Sequence, residues 1–167
     1  MTISKGQAVS VVTPFEDSVG DIVSALARHG ITATRLSRNA REASNPDAVP
    51  VASYADVALL LSGARGAVVM LQFNRHPLRA HDEAIERALS AQDPTSRLRV
   101  FMPMNDGLLT RFGSLGEVFQ KLGIAANECV ESGMVTRAIE TAQRKIAAKV
   151  LDEKAAPSFA LWCERNL

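Results

Sequence analysis

Cysteine, aromatic residues and charge of one sign are all scarce in this chain of 167 residues. Its two cysteines, Cys129 and Cys163, stand far apart and outside any CxxC pair, which excludes a disulfide framework and points to a reducing compartment. A net charge of +1 provides no global field for nucleic acid, an anionic membrane or an acidic substrate. Aromatics make up 5% of the chain, too few for a base-stacking platform, so a nucleic-acid partner is not expected. No apolar run approaches the roughly 18 residues needed to cross a bilayer, so no membrane partner is expected. The opening Met1-Thr2-Ile3-Ser4-Lys5-Gly6 lacks an apolar core, so no signal peptide is expected and the cytoplasm is the expected location. No GxGxxG follows the first apolar run and no Walker A sequence occurs, so no cofactor is expected.

What the chain has is a rhythm. Apolar runs at Ala8–Thr13, Thr32–Leu36, Ala67–Phe73, Leu98–Met104 and Asn127–Glu131 are each followed by a stretch of helical spacing or a loop leading to one. Strand-then-helix alternation predicts a mainly parallel sheet with helices on both faces. The expected fold is a single α/β domain over 1–167, a three-layer flavodoxin-like sandwich. Its five parallel strands are expected in the order 2-1-3-4-5, with 155–167 as a C-terminal tail. Ala67–Phe73, the most apolar run, is expected at the sheet centre.

The connecting segments follow from local chemistry. Val19, Ile22, Val23, Leu26 and Ala27 form a core-facing helical stripe, capped near Asp17 or Ser18 and stopped by Gly30. Ser37–Pro50 reads as a loop, and a helix begins at Ser53 with Val57, Leu60 and Leu61 inward. The stretch from His81 to Ser90 buries Ala84, Ile85, Ala88 and Leu89, with Asp82 and Glu83 as first-turn acids favoured by the helix dipole. A short helix is predicted over Leu115–Leu122 and a long one over Met134–Leu151, the latter with Val135, Ile139, Ala142, Ile146 and Val150 on its apolar side. The tail Ser158–Leu167, which carries Phe159, Leu161 and Trp162, is expected to dock back on its own domain.

Phe15-Glu16-Asp17-Ser18 after the first strand, the helix running to Gly30-Ile31, Ser53–Leu61 leading into Gly66–Leu71, and Leu122–Val130 before Met134–Ile146 together resemble the receiver domain of response regulators. The resemblance covers about Val9 to Lys149, with an insertion near Ser37–Val51, and implies a signalling module. It departs from receivers where phosphotransfer occurs. Receivers end the third strand in a phospho-accepting aspartate, whereas this run ends Leu71-Gln72-Phe73-Asn74. Pro103-Met104 stand in place of the receiver's Ser or Thr, and Glu131-Ser132 in place of its lysine. An acyl phosphate needs a carboxylate nucleophile, so the resemblance implies a degenerate receiver that works by protein contact. Its contact surface would be the carboxyl edge of the sheet, comprising Glu16, Asp17, Asn74, Arg75, Met104 and Asn105, with a protein partner or a second copy of the chain.

An alternative uses the same edge for chemistry. TIR-like NAD-cleaving domains also place a glutamate in the helix after a central strand, a region where this chain has Asp82, Glu83 and Glu86, with Glu83 or Glu86 as the candidate carboxylate. On that reading a nucleotide is bound and Arg111 clamps an anion. Arg111-Phe-Gly-Ser-Leu-Gly116 could cradle a phosphate, but Ser114 with Glu117 also forms a helix capping box. His76 and His81, with Asp82, could suggest a metal site, but the histidines stand five apart across Pro77 with no third ligand evident, so they read as surface loop histidines and no metal is expected. A carboxylate seated at the centre of the carboxyl edge, beside a bound metal or sugar-nucleotide, would overturn the non-catalytic reading.

Overall fold

A computed structural model of the chain describes residues 8–38, 47–103, 106–112 and 133–167. The expected class forms: a five-stranded, all-parallel sheet with helices on both faces. In chain order the elements are β1 (Ala8–Thr13), α1 (Asp17–Arg28), β2 (Ala33–Leu36), β3 (Val49–Ser53), a 3-10 turn (Tyr54–Asp56), α2 (Val57–Gly63), β4 (Val68–Phe73), α3 (Arg79–Gln92), β5 (Arg97–Phe101) and α4 (Gly107–Phe112). Two further helices follow, α5 (Gly133–Ala147) and α6 (Phe159–Asn166).

The sheet order is β2-β3-β1-β4-β5. The four described strands expected from the apolar runs keep their relative order, and one unexpected strand, β3, enters between the second and the first. Its residues fall where a loop was read through Pro50 and a helix from Ser53. Pro50 misleads because proline cannot donate to a ladder. Here it pairs with Thr34 of β2, and the register with β1 begins only at Val51 opposite Val11. The missing N–H therefore falls outside the β1 ladder. The insertion also moves the sheet centre from β4 to β1. The expected fifth strand at Asn127–Glu131, the Leu115–Leu122 helix, the Ser114–Glu117 capping box and Cys129 all lie outside the described residues.

Strand alternation sends side chains to two cores. Val11 and Val51 meet Val19 of α1 on one face, with Ile22, Val23 and Leu26 packed around them. Val12, Ala52, Val68 and Met70 meet Val57, Leu60 and Leu61 of α2 and Ile85 and Leu89 of α3 on the other. Gly30, just past the end of α1, and Gly66, in the bend between α2 and β4, have φ of +73° and +80°, the left-handed conformation that glycine adopts without a Cβ penalty.

A third core lies beyond the strand ends. Phe15, Leu108, Leu109, Ile139, Ile146, Trp162 and Cys163 come together there from the β1–α1 loop, α4, α5 and α6. The expected docking of the tail is found, with Trp162 1% exposed. The Ser158 hydroxyl caps α6 by accepting from Leu161 N–H. Asp17 N–H, one of the donors left open at the start of α1, bonds to Pro157 C=O at 3.1 Å. The tail is thereby tied to the helix that leaves β1. Among the described residues no helix is long and apolar enough to cross a membrane.

Candidate functional site at the carboxyl end of the sheet

Parallel α/β sheets meet ligands at the carboxyl ends of their strands. In this chain that region is filled by its own polar side chains. Asp82, on the first turn of α3, is 1% exposed and sits at the hub. Its Oδ1 accepts from Tyr54 Oη at 2.6 Å, His76 N–H at 3.1 Å and Gln72 Nε2 at 3.3 Å. Its Oδ2 accepts from Gln143 Nε2 at 2.8 Å and Arg75 Nη1 at 3.4 Å. A buried carboxylate costs several kcal/mol unless it is paired and hydrogen-bonded. Five donors, one of them cationic, meet that requirement here. Burial, and then the Asp82 charge, push the Tyr54 phenol far above its ordinary value, so it stays protonated and donates.

The same hub shapes the loop between β4 and α3. Asn74 adopts φ +66°, a left-handed turn that Asn tolerates better than most residues, and its N–H bonds to Phe101 C=O at 2.9 Å. Gln72 Nε2 also bonds back to Asn74 C=O. Gln143 Nε2 reaches His76 C=O at 2.7 Å, which fastens α5 to the loop. Leu78 N–H donates to His76 Nδ1 at 3.1 Å and closes the segment before α3 begins.

Beside the hub lies a second cluster that joins three separate pieces of chain. His76 is 6% exposed, which corrects its reading as a surface histidine. It stacks on Phe15 and Tyr54, meets Trp162 edge-on, and has its ring centroid 4.0 Å from that of His81. Glu153, from the segment between α5 and α6, accepts from Trp162 Nε1 at 2.7 Å and contacts His81 Nε2 at 2.6 Å. His76 Nε2 lies 3.5 Å from Glu153 Oε1. Burial, reinforced by neighbouring His81, lowers the His76 pKa to about 4, so the ring is neutral near pH 7. Burial alone would raise the Glu153 carboxyl, but the hydrogen bonds from His81 and Trp162 outweigh it and hold the group below its usual range. His76, His81 and Glu153 each offer a ligand atom, all within 4.8 Å of one another.

The residues expected at this edge divide. Arg75 joins the hub, and Asn74 builds the loop that carries it. Glu16 pairs with Arg35 of β2, and Asp17 is exposed on the first turn of α1. Met104 and Asn105 lie outside the described residues, and for Arg111 only its backbone place in α4 is described. Glu83 pairs with Arg79 one helical turn away at 2.8 Å, and Arg79 also reaches Glu140 of α5 at 3.2 Å. Glu83 and Glu86 border a slot of about 70 Å³ between α3 and α5, together with Arg75, Arg79 and Glu140. Ligand pockets run to about 300–1,000 Å³, so the slot is far too small for a dinucleotide.

Gln72, Asp82, Gln143 and Glu153 are not among the expected site residues, and Asp82, weighed beside the two histidines, reads from sequence as a first-turn acid. The first three carry a signal that could have found them, because each interrupts an apolar pattern. Gln72 falls inside the apolar run of β4. Asp82 stands three residues before Ile85 and seven before Leu89, on the buried stripe of α3. Gln143 follows Ile139 by four residues on the buried stripe of α5. Polar groups at such positions are nearly always hydrogen-bonded, so each of the three marks a buried partner to be found. Glu153 carries no such signal.

No family model matches the chain. Parts of it are similar to stretches of the protein translocase subunit SecA. The identity is 32% over 83 residues with the protein of Wolinella succinogenes, covering 48% of this chain and 10% of that protein. It is 33% over 89 residues with that of Clostridium botulinum, covering 52% and 11%. With the protein of Geobacter sp. strain M21 it is 34% over 87 residues, covering 51% and 9%. The chain therefore spans about a tenth of the length of these curated relatives.

Proposed function

We propose that this chain is a non-catalytic module that acts by binding a protein partner, and that the partner is a subunit of a protein translocase. The observation that carries the first half is the saturation of Asp82 by five donors. A nucleophile or general base needs a free lone pair within reach of substrate. At the edge where such folds do chemistry, this carboxylate has its lone pairs engaged and the Phe15–Trp162 core beside it. Gln72, Phe73 and Asn74 at the end of β4 supply no other carboxylate, in keeping with a degenerate receiver. The likeness of half the chain to a stretch of SecA supports the second half: a partner that SecA meets through that stretch would find related side chains here. The two widely spaced cysteines suit a cytoplasmic module.

The test is co-purification of tagged chain from its own cells, followed by sedimentation of the recombinant pair. The expected result is a stoichiometric complex with SecA or another translocase subunit. Thermal shifts with NAD and nucleoside triphosphates are expected to be flat. NAD turnover that disappears in Glu83→Gln or Glu86→Gln would overturn the reading in favour of the enzyme. A chain that sediments alone in the presence of every translocase subunit would remove the proposed partner.

A further inference from the structure

We infer that His76, His81 and Glu153 form a zinc site that braces the C-terminal helices against the sheet. Two imidazoles and a carboxylate are a donor set that zinc takes in open, three-protein-ligand sites, with water in the fourth position. The three ligand atoms lie within 4.8 Å of one another. Tetrahedral ligands at about 2.0–2.1 Å from zinc stand roughly 3.4 Å apart, so the cluster closes on an ion by adjustments of about an ångström. His81, with its side chain 43% exposed, is free to make most of that adjustment. It also leaves the solvent side open for entry and for the fourth ligand.

The surroundings resemble those of a metal ligand set at one residue and oppose it at another. Trp162 Nε1 holds Glu153 Oε1, leaving Oε2 directed at His81. A donor behind a ligating carboxylate orients it in this way. His76 stacks against Phe15 and Tyr54 and meets Trp162 edge-on, contacts that restrain its ring. However, His76 Nδ1 accepts from Leu78 N–H, so in the neutral ring Nε2 carries the proton. Zinc at Nε2 must displace that proton. It either leaves to solvent, giving an imidazolate, or moves to Nδ1 while the Leu78 amide gives up its acceptor. Binding therefore strengthens with rising pH, and the site is weaker than one whose histidines already donate outward. His76 lies at the end of the β4 loop, His81 on α3 and Glu153 between α5 and α6. An ion shared by them would tie the tail to the sheet. Asp82, whose two oxygens are held by its five donors, is not among its ligands, so this zinc braces the fold and supplies no metal to a reacting carboxylate.

The experiment uses the full chain, stripped with a chelator and titrated with cobalt(II) and then zinc(II). The expected cobalt complex has the intense visible absorption of a four-coordinate ion at one equivalent, is displaced by zinc, and is accompanied by a rise in melting temperature with zinc. His81→Ala, at a half-exposed position outside all three cores, is expected to lower affinity at least tenfold. Glu153→Gln is expected to do the same. His29→Ala, which removes the chain's other histidine, is expected to change nothing. Absence of the cobalt band, or a band that survives His81→Ala, would overturn the assignment. Circular dichroism of each variant verifies that it is folded. If Glu153→Gln unfolds, the paired result of His81→Ala and His29→Ala decides the question alone.

Discussion

Replacing Asp82 by alanine is the severest single test of the polar hub. The substitution leaves Tyr54 Oη and His76 N–H without their acceptor, strips the Gln72 and Gln143 amides of one of the two acceptors each has, and removes the counter-charge of Arg75. An orphaned buried donor costs about 1–3 kcal/mol. The sum over these donors overstates the loss, because water can enter the space left by the carboxylate. Breaking a buried charged pair by removing one partner costs about 3–5 kcal/mol, and that is the expected loss here. It is a large part of the roughly 5–15 kcal/mol that holds a domain folded. Asp82→Asn separates charge from shape. Its amide nitrogen can stand at the Oδ2 position if Gln143 turns over and offers Oε1, an atom that has no partner in the native arrangement, at the loss of the Gln143 bond to His76 C=O and of the Arg75 contact. The expected loss is then about 1–3 kcal/mol. Urea unfolding followed by Trp162 fluorescence and by circular dichroism measures both. Trp162 is the chain's one tryptophan and reports on the junction between the sheet and the last helices. For Asp82→Asn the fluorescence transition is expected to precede the circular dichroism transition, since the hub fastens α5 to the loop after β4. An Asp82→Ala protein within about 1 kcal/mol of wild type would show that the hydrogen bonds drawn to this carboxylate do not hold in solution.

Acidification of the metal-free protein is expected to weaken it between pH 6.5 and about 4, the interval between the unfolded and folded values of His76. The unfolded chain takes up the proton first there, so the stability present above pH 6.5 declines by about 3 kcal/mol. Glu153, held low in the fold, loses its contribution in the same direction, and melting curves across this range provide the check. Gly107→Ala is expected to loosen the junction by about 1–3 kcal/mol, because a Cβ there would run into the Phe159 ring; Trp162 emission should move to the red. Met70→Ala, at a fully buried position of β4, is expected to cost about 2–5 kcal/mol in urea with no change in the emission of the folded protein.

The layers were legible because burial on both faces leaves β1 and β4 as near-continuous apolar runs, and because α1 and α5 carry stripes of helical period. β3 was not legible, since Val49-Pro50-Val51-Ala52-Ser53 is short and contains a residue that argues against an inner strand. Only the register shows that Pro50 falls where β1 does not yet pair. The receiver-like sequence texture pointed to Glu16, Asp17, Asn74 and Arg75, of which Arg75 joins the hub and Asn74 shapes its loop, while Glu16 pairs with Arg35 and Asp17 is exposed. It could not reveal that Asp82 turns inward, because an acid in the first turn of a helix has an adequate local explanation in the dipole. Whether such an acid faces water or the core is settled by the partners that reach it, and here those come from positions 54, 72, 75, 76 and 143, spread over most of the chain. The third ligand to the two histidines was hidden for the same reason: Glu153 is 72 residues from His81.

A carboxylate does sit at the middle of the edge where this class of fold works, and the case for a module that binds rather than reacts depends on its state. A reacting aspartate must exchange partners during turnover, so it is held loosely and meets solvent or substrate on at least one side. Asp82 has the opposite surroundings. Its donors come from the 3-10 turn, β4, the loop after β4 and α5, so freeing either oxygen would detach pieces of the fold from each other. The slot that borders it admits little more than water. Chemistry at this position would require the loop and α5 to separate, which costs the same bonds whose loss is expected to destabilise Asp82→Ala. A single substitution thus bears on fold and function together. If Asp82→Asn proves as stable as the parent and gains affinity for nucleotides, the hub is a gate rather than a fastening, and the carboxyl edge must be read as a binding cleft.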